Sequence, residues 1–230
     1  LEEIKPSYPG VSKLIPATEW FEREIHDMFG IAAEETDLPP LVLHRDFPQG
    51  KYFPMRKDFK SNTEIEIREV AHQFIQPNAE GMHQIAVGPI HAGIIEPGHL
   101  RFCAIGEQIL KFDAQLFYTH KGIEKMAEGK SIEEGLILAE HTCGMCSFSH
   151  STAYCQAIES ISKITIPDRA LYIRTICLEL ERLTNHLSDL SSICSAGGFA
   201  IAGMNAAKLK EKVMQLIFQF TEHRFFRKLN

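Results

Sequence analysis

Residues 131–150 read SIEEGLILAEHTCGMCSFSH, and the pattern is that of a helix, a loop and the start of a second helix. Ser131-Ile132-Glu133-Glu134 is a capping box, in which the Ser131 hydroxyl accepts the Glu134 amide while the Glu134 carboxylate reaches back. One helix runs from it toward Glu140, and another is expected from Ser147 to Ile161. Between them lie Cys143-Gly144-Met145-Cys146, followed by His150. On a helix these spacings put all three side chains on one face. The second helix is therefore expected to carry the metal-ligand candidates at its start. Thiolate is the soft ligand that nickel, iron and zinc prefer. The pair admits four readings: buried core thiols, a thioredoxin-type redox pair, a structural zinc site, or a metal site completed by residues beyond this chain. No βαβ pattern precedes the pair, which weakens the redox reading. A zinc site needs two more ligands, and His150 offers only one of them. The completed-elsewhere metal site is favoured.

The pattern extends outward in both directions. Pro167 followed by Asp168 opens a long helix to about Leu190, since Pro suits the first helical turn. Leu209, Val213, Leu216, Ile217 and Phe220 mark a last amphipathic helix. Upstream, His83 to Val87 and Leu100 to Ile105 are strand candidates around a Gly- and Pro-punctuated loop, Gly88 to Gly98. The second strand is expected to continue through Gln108 to Phe117 in an antiparallel sheet. Residues 1 to about 60 are rich in proline, with one helical island from Thr18 to Gly30. Thr18 is the expected N-cap and Gly30 the C-terminal stop. Trp20, Glu24, Asp27 and Met28 cannot all face a core, so this helix is short and partly exposed. Leu41-Val42-Leu43 reads as a brief extended piece and Arg56-Lys57-Asp58 as a solvated turn. The fold class is α+β: a small antiparallel sheet plus a helical bundle, preceded by the tail of another domain.

With 230 residues the chain can bury a sizeable core in one or two domains. Hydrophobic residues make up 44% and charged residues 23%, ordinary for a soluble globular protein. The net charge of −6 and pI near 6.0 argue against nucleic acid as the main partner. No apolar run is long enough to span a bilayer, so membrane association is expected through partner subunits. The sequence opens on Leu1, with no signal-peptide pattern, and is expected to be a fragment. Cys103, Cys155, Cys177 and Cys194 are irregularly spaced and expected to pack as small hydrophobes, in keeping with a reducing cytoplasm.

The loop from Val87 to Phe102 sets His91, Glu96 and His99 among glycines and prolines. A carboxylate and two imidazoles in an apolar loop can pass protons, since burial moves their pKa values toward neutrality. A plain strand connection with solvent-facing side chains accounts for the same residues equally well.

Both stretches resemble the large, catalytic subunit of nickel-iron hydrogenases, specifically the membrane-associated, energy-converting group 4 that includes formate hydrogenlyase. That group is related to the quinone-chamber subunit of respiratory complex I. Residues 1–62, with Trp20 to Gly30 and Pro54 to Phe59, look like the C-terminal part of the complex I 30-kDa-type subunit. Residues 63–230 look like the N-terminal part of the hydrogenase large subunit, or complex I 49-kDa-type subunit. Pro167 to Arg174 and Leu180 to His186 also resemble this family.

The resemblance implies a nickel-iron centre carrying cyanide and carbon monoxide, Ni-Fe(CN)2(CO), and reversible reduction of protons to dihydrogen. By family analogy Cys143 is a terminal nickel ligand and Cys146 bridges nickel and iron, while His150 stands in the surrounding shell. Glu96 matches the glutamate that passes protons near the nickel-bound thiolate. His91 aligns with the histidine lining the quinone site of complex I relatives, which lack the cysteine pair. Arg101, Arg174 and Arg182 are expected to form structural ion pairs. The implied partners are an iron-sulfur small subunit of the complex I 20-kDa type, membrane antiporter-like subunits and maturation proteins. Electrons arrive from iron-sulfur clusters in that small subunit, because this chain has too few clustered cysteines to bind one. The implied location is cytoplasmic, peripheral to the membrane.

The family binds its metals with four cysteines, and this chain contains no second Cys-x-x-Cys. As written it supplies half of the set, so the fragment alone is expected to be inactive. A complex-I-like NADH/quinone oxidoreductase subunit and a non-catalytic docking module are the competing readings.

Overall fold

The computed structural model describes residues 6–43, 46–60, 62–67, 73–76, 78–91 and 95–230. The chain divides into two compact units, Leu1–His120 and Lys121–Asn230. Leu1, and Ala92, Gly93 and Ile94 of the expected proton-carrying loop, lie outside the described residues.

The first unit begins with strand β1 (Ser7–Pro9), a single 3-10 turn at Pro16–Thr18, helix α1 (Glu19–Phe29) and strand β2 (Ala32–Glu34). β1 and β2 pair in parallel, with Tyr8 opposite Ala33, a pairing the sequence reading did not anticipate. Three-residue strands are too short to show alternation. Thr18 precedes α1 as expected but caps nothing with its side chain, because its hydroxyl donates to the Ile15 carbonyl at 2.8 Å. The 3-10 turn feeds directly into α1 and takes that role. Gly30 ends the helix at φ 69°, as expected. A Cβ at that position would also run into the Phe53 ring.

α1 turns Glu22, Asp27 and Met28 inward and leaves Trp20 61% exposed. The Asp27 Oδ2 atom accepts the amides of Leu41, Val42 and Leu43 at 2.8, 2.9 and 3.2 Å. Leu41-Val42-Leu43 is accordingly a bend wrapped around a carboxylate, not the extended piece its apolar composition suggested. Arg56 sits in a turn, as expected, and its Nε donates to the Phe29 carbonyl at 2.6 Å.

The second part of this unit is a three-stranded antiparallel sheet, β3 (His83–Val87), β4 (His99–Ile105) and β5 (Gln108–Gln115), in the order β3-β4-β5. What the sequence suggested as one continuing strand is a hairpin: Gly106 at φ 57° and Glu107 turn the chain, and Ile105 pairs with Gln108. A two-residue turn needs positive φ, which Gly supplies without a Cβ clash. A bulge falls between Cys103 and Ala104.

The second unit is helical: α2 (Ile123–Ala127), α3 (Ile132–Ala139), α4 (Ser147–Ser162), α5 (Asp168–Ala196) and α6 (Ala200–Thr221). The capping box of α3 is formed on both sides, Ser131 Oγ accepting the Glu134 amide and Glu134 Oε2 accepting the Ser131 amide at 3.0 Å. α5 runs past Leu190 to Ala196, with Pro167 as its N-cap just outside the first turn. Phe148, Cys177, Ile217 and Phe226 form the buried core, joining the start of α4 to α5, α6 and the segment after it. α3 and α4 touch where Gly135 faces Tyr154, whose hydroxyl donates to the Ile132 carbonyl at 3.1 Å. A Cβ on Gly135 would overlap the Tyr154 ring and hydroxyl. Gly135→Ala is expected to lower stability by about 1–2 kcal/mol, since overpacking outweighs the gain in helix propensity. A thermal melt equal to that of the parent would contradict this.

Among the described residues, no helix is long and apolar enough to cross a membrane.

Candidate metal centre

All six cysteines are free thiols, with Cys103 and Cys177 buried and Cys155 and Cys194 half-buried. Cys143 and Cys146 are half-buried and lie in the loop between α3 and α4, not on the helix itself. α4 begins at Ser147, with Cys146 as its N-cap at φ −132°. The expectation that both thiols share a helix face is therefore corrected. Gly144 and the cap geometry keep the pair in a tight loop, which brings the sulfurs together without a helical turn. His150 is one turn into α4, its amide donating to the Cys146 carbonyl at 3.2 Å. Among the described residues, no three His, Cys, Asp or Glu side chains gather into a metal-holding group. The site in this chain is a pair of thiols.

Loop and charge together make the two sulfurs unequal. Burial resists ionisation of Cys143, but hydrogen bonds from the Cys146 thiol and from the Met145 and Cys146 amides outweigh it, with Lys121 adding positive charge. The Met145 amide reaches Cys143 Sγ at 3.4 Å. The Cys143 thiol is thus held below its ordinary range. Cys146 is pushed up to about 12 by burial, by its bond to Cys143 and by the negative charges of Cys143 and Glu181. Of the two thiols, Cys143 is therefore the more easily ionised and Cys146 the less.

The loop is held from α5. Glu181, itself buried, accepts the Phe148 amide at 2.8 Å on Oε1. Its Oε2 accepts the Ser149 amide at 3.0 Å and the Ser149 hydroxyl at 2.5 Å. These are first-turn amides of α4, which no residue of that helix can satisfy, and a carboxylate there meets the positive end of the helix dipole. Four residues on, Asn185 Nδ2 donates to the Met145 carbonyl at 2.9 Å. Lys121 Nζ donates to the Thr142 carbonyl at 3.0 Å. The sequence reading passed over Glu181 and Asn185 as candidates. The available signal was a buried-side carboxylate and amide at i and i+4 within Leu180 to His186.

Arg174 is the ion-pair former that the sequence suggested. Its Nη1 and Nη2 donate to the two Glu159 oxygens at 3.0 and 2.7 Å, bracing α5 against α4. Arg182 pairs with Glu179 one turn away on the exposed face of α5. The hydrogen bond from Arg174 holds the Glu159 carboxyl below the usual carboxylate range. A depressed folded-state pKa contributes stability above the unfolded carboxylate pKa and loses it as pH falls through the folded value. Glu159→Gln is therefore expected to cost about 1 kcal/mol near neutrality, with the difference from the parent vanishing in acid. Urea titrations at pH 7 and pH 3 measure it, and an equal loss at both would contradict the assignment.

The first unit holds the other candidates. The His91 Nε2–H donates to the Gly98 carbonyl at 2.8 Å, and the Gly98 amide donates to the Pro89 carbonyl at 3.0 Å. His99, 8% exposed, accepts from Arg101 Nε on Nε2 at 3.0 Å, so its proton lies on Nδ1 and is donated to the Gly88 carbonyl at 3.2 Å. Arg101 stacks on Phe74 with its guanidinium carbon 3.7 Å from the ring centroid. Among the described residues, Arg101 thus works through an imidazole and an aromatic face and makes no ion pair. A Cβ on Gly88 would collide with the Gly98 carbonyl and the His91 ring, so glycine is required at the base of the loop. Glu96 is exposed within this unit, whereas His99 is buried. The structure brings Cys143 and Cys146 together in one unit, and His91 and His99 to the base of one loop in the other.

Two family descriptions match the chain: "Respiratory-chain NADH dehydrogenase, 30 Kd subunit" over residues 1–64 and "Nickel-dependent hydrogenase" over residues 121–192. Formate hydrogenlyase subunit 5 of Escherichia coli (strain K12) is 38% identical over 92% of this chain and 38% of its own length. Hydrogenase-4 component G of the same organism is 39% identical over 91% of this chain and 38% of its own length. Among solved structures, the membrane-bound sulfane sulfur reductase, an archaeal respiratory membrane complex, matches with a TM-score of 0.57. That match has 27% identity and covers 66% of this chain and 40% of that one. By these matches the chain is similar to the large subunits of group 4 nickel-iron hydrogenases, with a complex I 30-kDa-type segment ahead of that part. It spans about two-fifths of the length of the curated relatives it matches.

Proposed function

We propose that this chain forms part of the catalytic large subunit of a membrane-associated hydrogenase, in which Cys143 and Cys146 are two of the four thiolates of a nickel-iron centre. The observation that carries the reading is the sulfur pair in the loop that opens α4, both thiols half-buried and Cys146 at the N-cap. Two soft donors in one loop, with a carbonyl-and-amide frame around them, suit nickel and iron. When bound, such a centre supplies reversible reduction of protons to dihydrogen. Cys143 is the more easily ionised of the two, and Cys146, pushed up to about 12, would lose its proton only on binding metal. The remaining two thiolates come from residues beyond this chain.

In this reading the chain divides at 62/63 into a complex I 30-kDa-like part and a hydrogenase large-subunit part. Glu96 carries protons toward the centre, and His91 and His150 shape its surroundings. An iron-sulfur small subunit of the complex I 20-kDa type delivers electrons, maturation proteins install the metal, and antiporter-like subunits hold the assembly at the cytoplasmic face of the membrane. The likeness to a sulfane sulfur reductase supports a second reading, reduction of sulfane sulfur by the same assembly. The test is metal content and turnover of the complete protein matured in its own host. Nickel and hydrogen evolution are expected, both falling to background in Cys143→Ser and Cys146→Ser. A matured protein without nickel overturns the proposal, and sulfide production without hydrogen evolution selects the second reading.

A further inference from the structure

We infer that Glu181 and Asn185 of α5 are positioning residues that set the geometry of the Cys143–Cys146 pair from a neighbouring helix. The inference rests on the proposed metal-binding role of that pair. Cys146 stands between two points of attachment. Before it, the Met145 carbonyl is held by Asn185 at 2.9 Å. After it, the Phe148 and Ser149 amides and the Ser149 hydroxyl are all held by one Glu181 carboxylate. Glu181 and Asn185 are one helical turn apart and so project from the same side of α5. The loop has little hold of its own, because Cys146 makes no side-chain capping bond and the glycine beside Cys143 adds no side chain. Without the α5 clamp, the first turn of α4 loses its acceptor and the loop on its N-terminal side can swing. A two-sulfur grip depends on the distance and angle between sulfurs, so the clamp acts on the metal through the loop and not by touching it.

Two measurements on the purified 230-residue chain separate the possibilities. The first is amide hydrogen exchange across Met145 to His150. The second is titration with nickel(II) alone, read by the sulfur-to-nickel charge-transfer absorption. Glu181→Gln keeps the size of the side chain but leaves only one good acceptor, and Asn185→Ala removes the other anchor. Each is expected to speed exchange in this segment and to weaken nickel binding by about tenfold, with a shifted absorption band. Glu179→Gln, on the exposed face of α5, is the control and is expected to change neither.

Unchanged exchange in both variants overturns the clamp. Faster exchange with the parent band and affinity intact shows a purely structural role and overturns the positioning claim. A parent chain with no saturable band, in which Cys143→Ser changes nothing, overturns the positioning claim, while the nickel reading is overturned separately by a matured complete protein without nickel. A band in Glu181→Gln at the parent's position and affinity overturns the positioning claim alone. Far-UV circular dichroism of each variant guards against loss of fold, and Asn185→Asp provides a second, size-conserving test of the Met145 anchor.

Discussion

Asp27→Ala is expected to destabilise the first unit by about 3 kcal/mol, because three backbone amides would lose their one acceptor. Asp27 is 4% exposed, and its Oδ2 holds Leu41, Val42 and Leu43 in a bend that packs Val42 inward. Water cannot replace the carboxylate at a buried Val42 amide without opening the bend. Asp27→Asn keeps one carbonyl acceptor and is expected to recover roughly half of the loss. Urea unfolding of both variants measures the difference, and hydrogen exchange at Leu41 to Leu43 locates it. Equal stability of parent and Asp27→Ala would show that the three bonds contribute nothing net.

Phe148→Ala carries the largest expected loss in the second unit, about 3–5 kcal/mol. Phe148 is 2% exposed, with its ring centroid 5.4 Å from that of Phe226, and it sits in the core with Cys177 and Ile217. Its removal leaves a cavity where α4, α5 and α6 meet. The same residue gives its amide to Glu181, so the substitution also loosens the start of α4 beside Cys146. Phe148→Leu preserves most of the volume and is expected to cost less than about 1.5 kcal/mol. Thermal melting ranks the two, and a melt of Phe148→Ala within a degree of the parent would contradict the core assignment.

Much of the fold was readable from local chemistry alone. The Ser131–Glu134 capping box, the stop at Gly30, and the long helix opened by Pro167 and Asp168 depend on residues adjacent in sequence, and all three form. The strands around His83 and Leu100 were equally visible in their composition. The misread elements have separate causes. Leu41 to Leu43 looks like a strand until a carboxylate fourteen residues upstream takes its amides. The Gln108 segment looks like a continuation until Gly106 turns it back on β4. β1 and β2 are too short to show any alternation at all.

The candidate site divides in the same way. Sequence by itself determined which atoms are available, two thiols three residues apart, because ligand identity and spacing are properties of the chain. Only the tertiary structure decided that the pair precedes α4 instead of riding on it. It also decided that Cys143 is held below its ordinary range and Cys146 above it, and that Glu181 and Asn185 hold the loop between them. Those partners lie 32 to 40 residues away along the chain. The physical reason is that helix ends leave amides without acceptors, and the acceptor that completes them can come from any element that packs alongside.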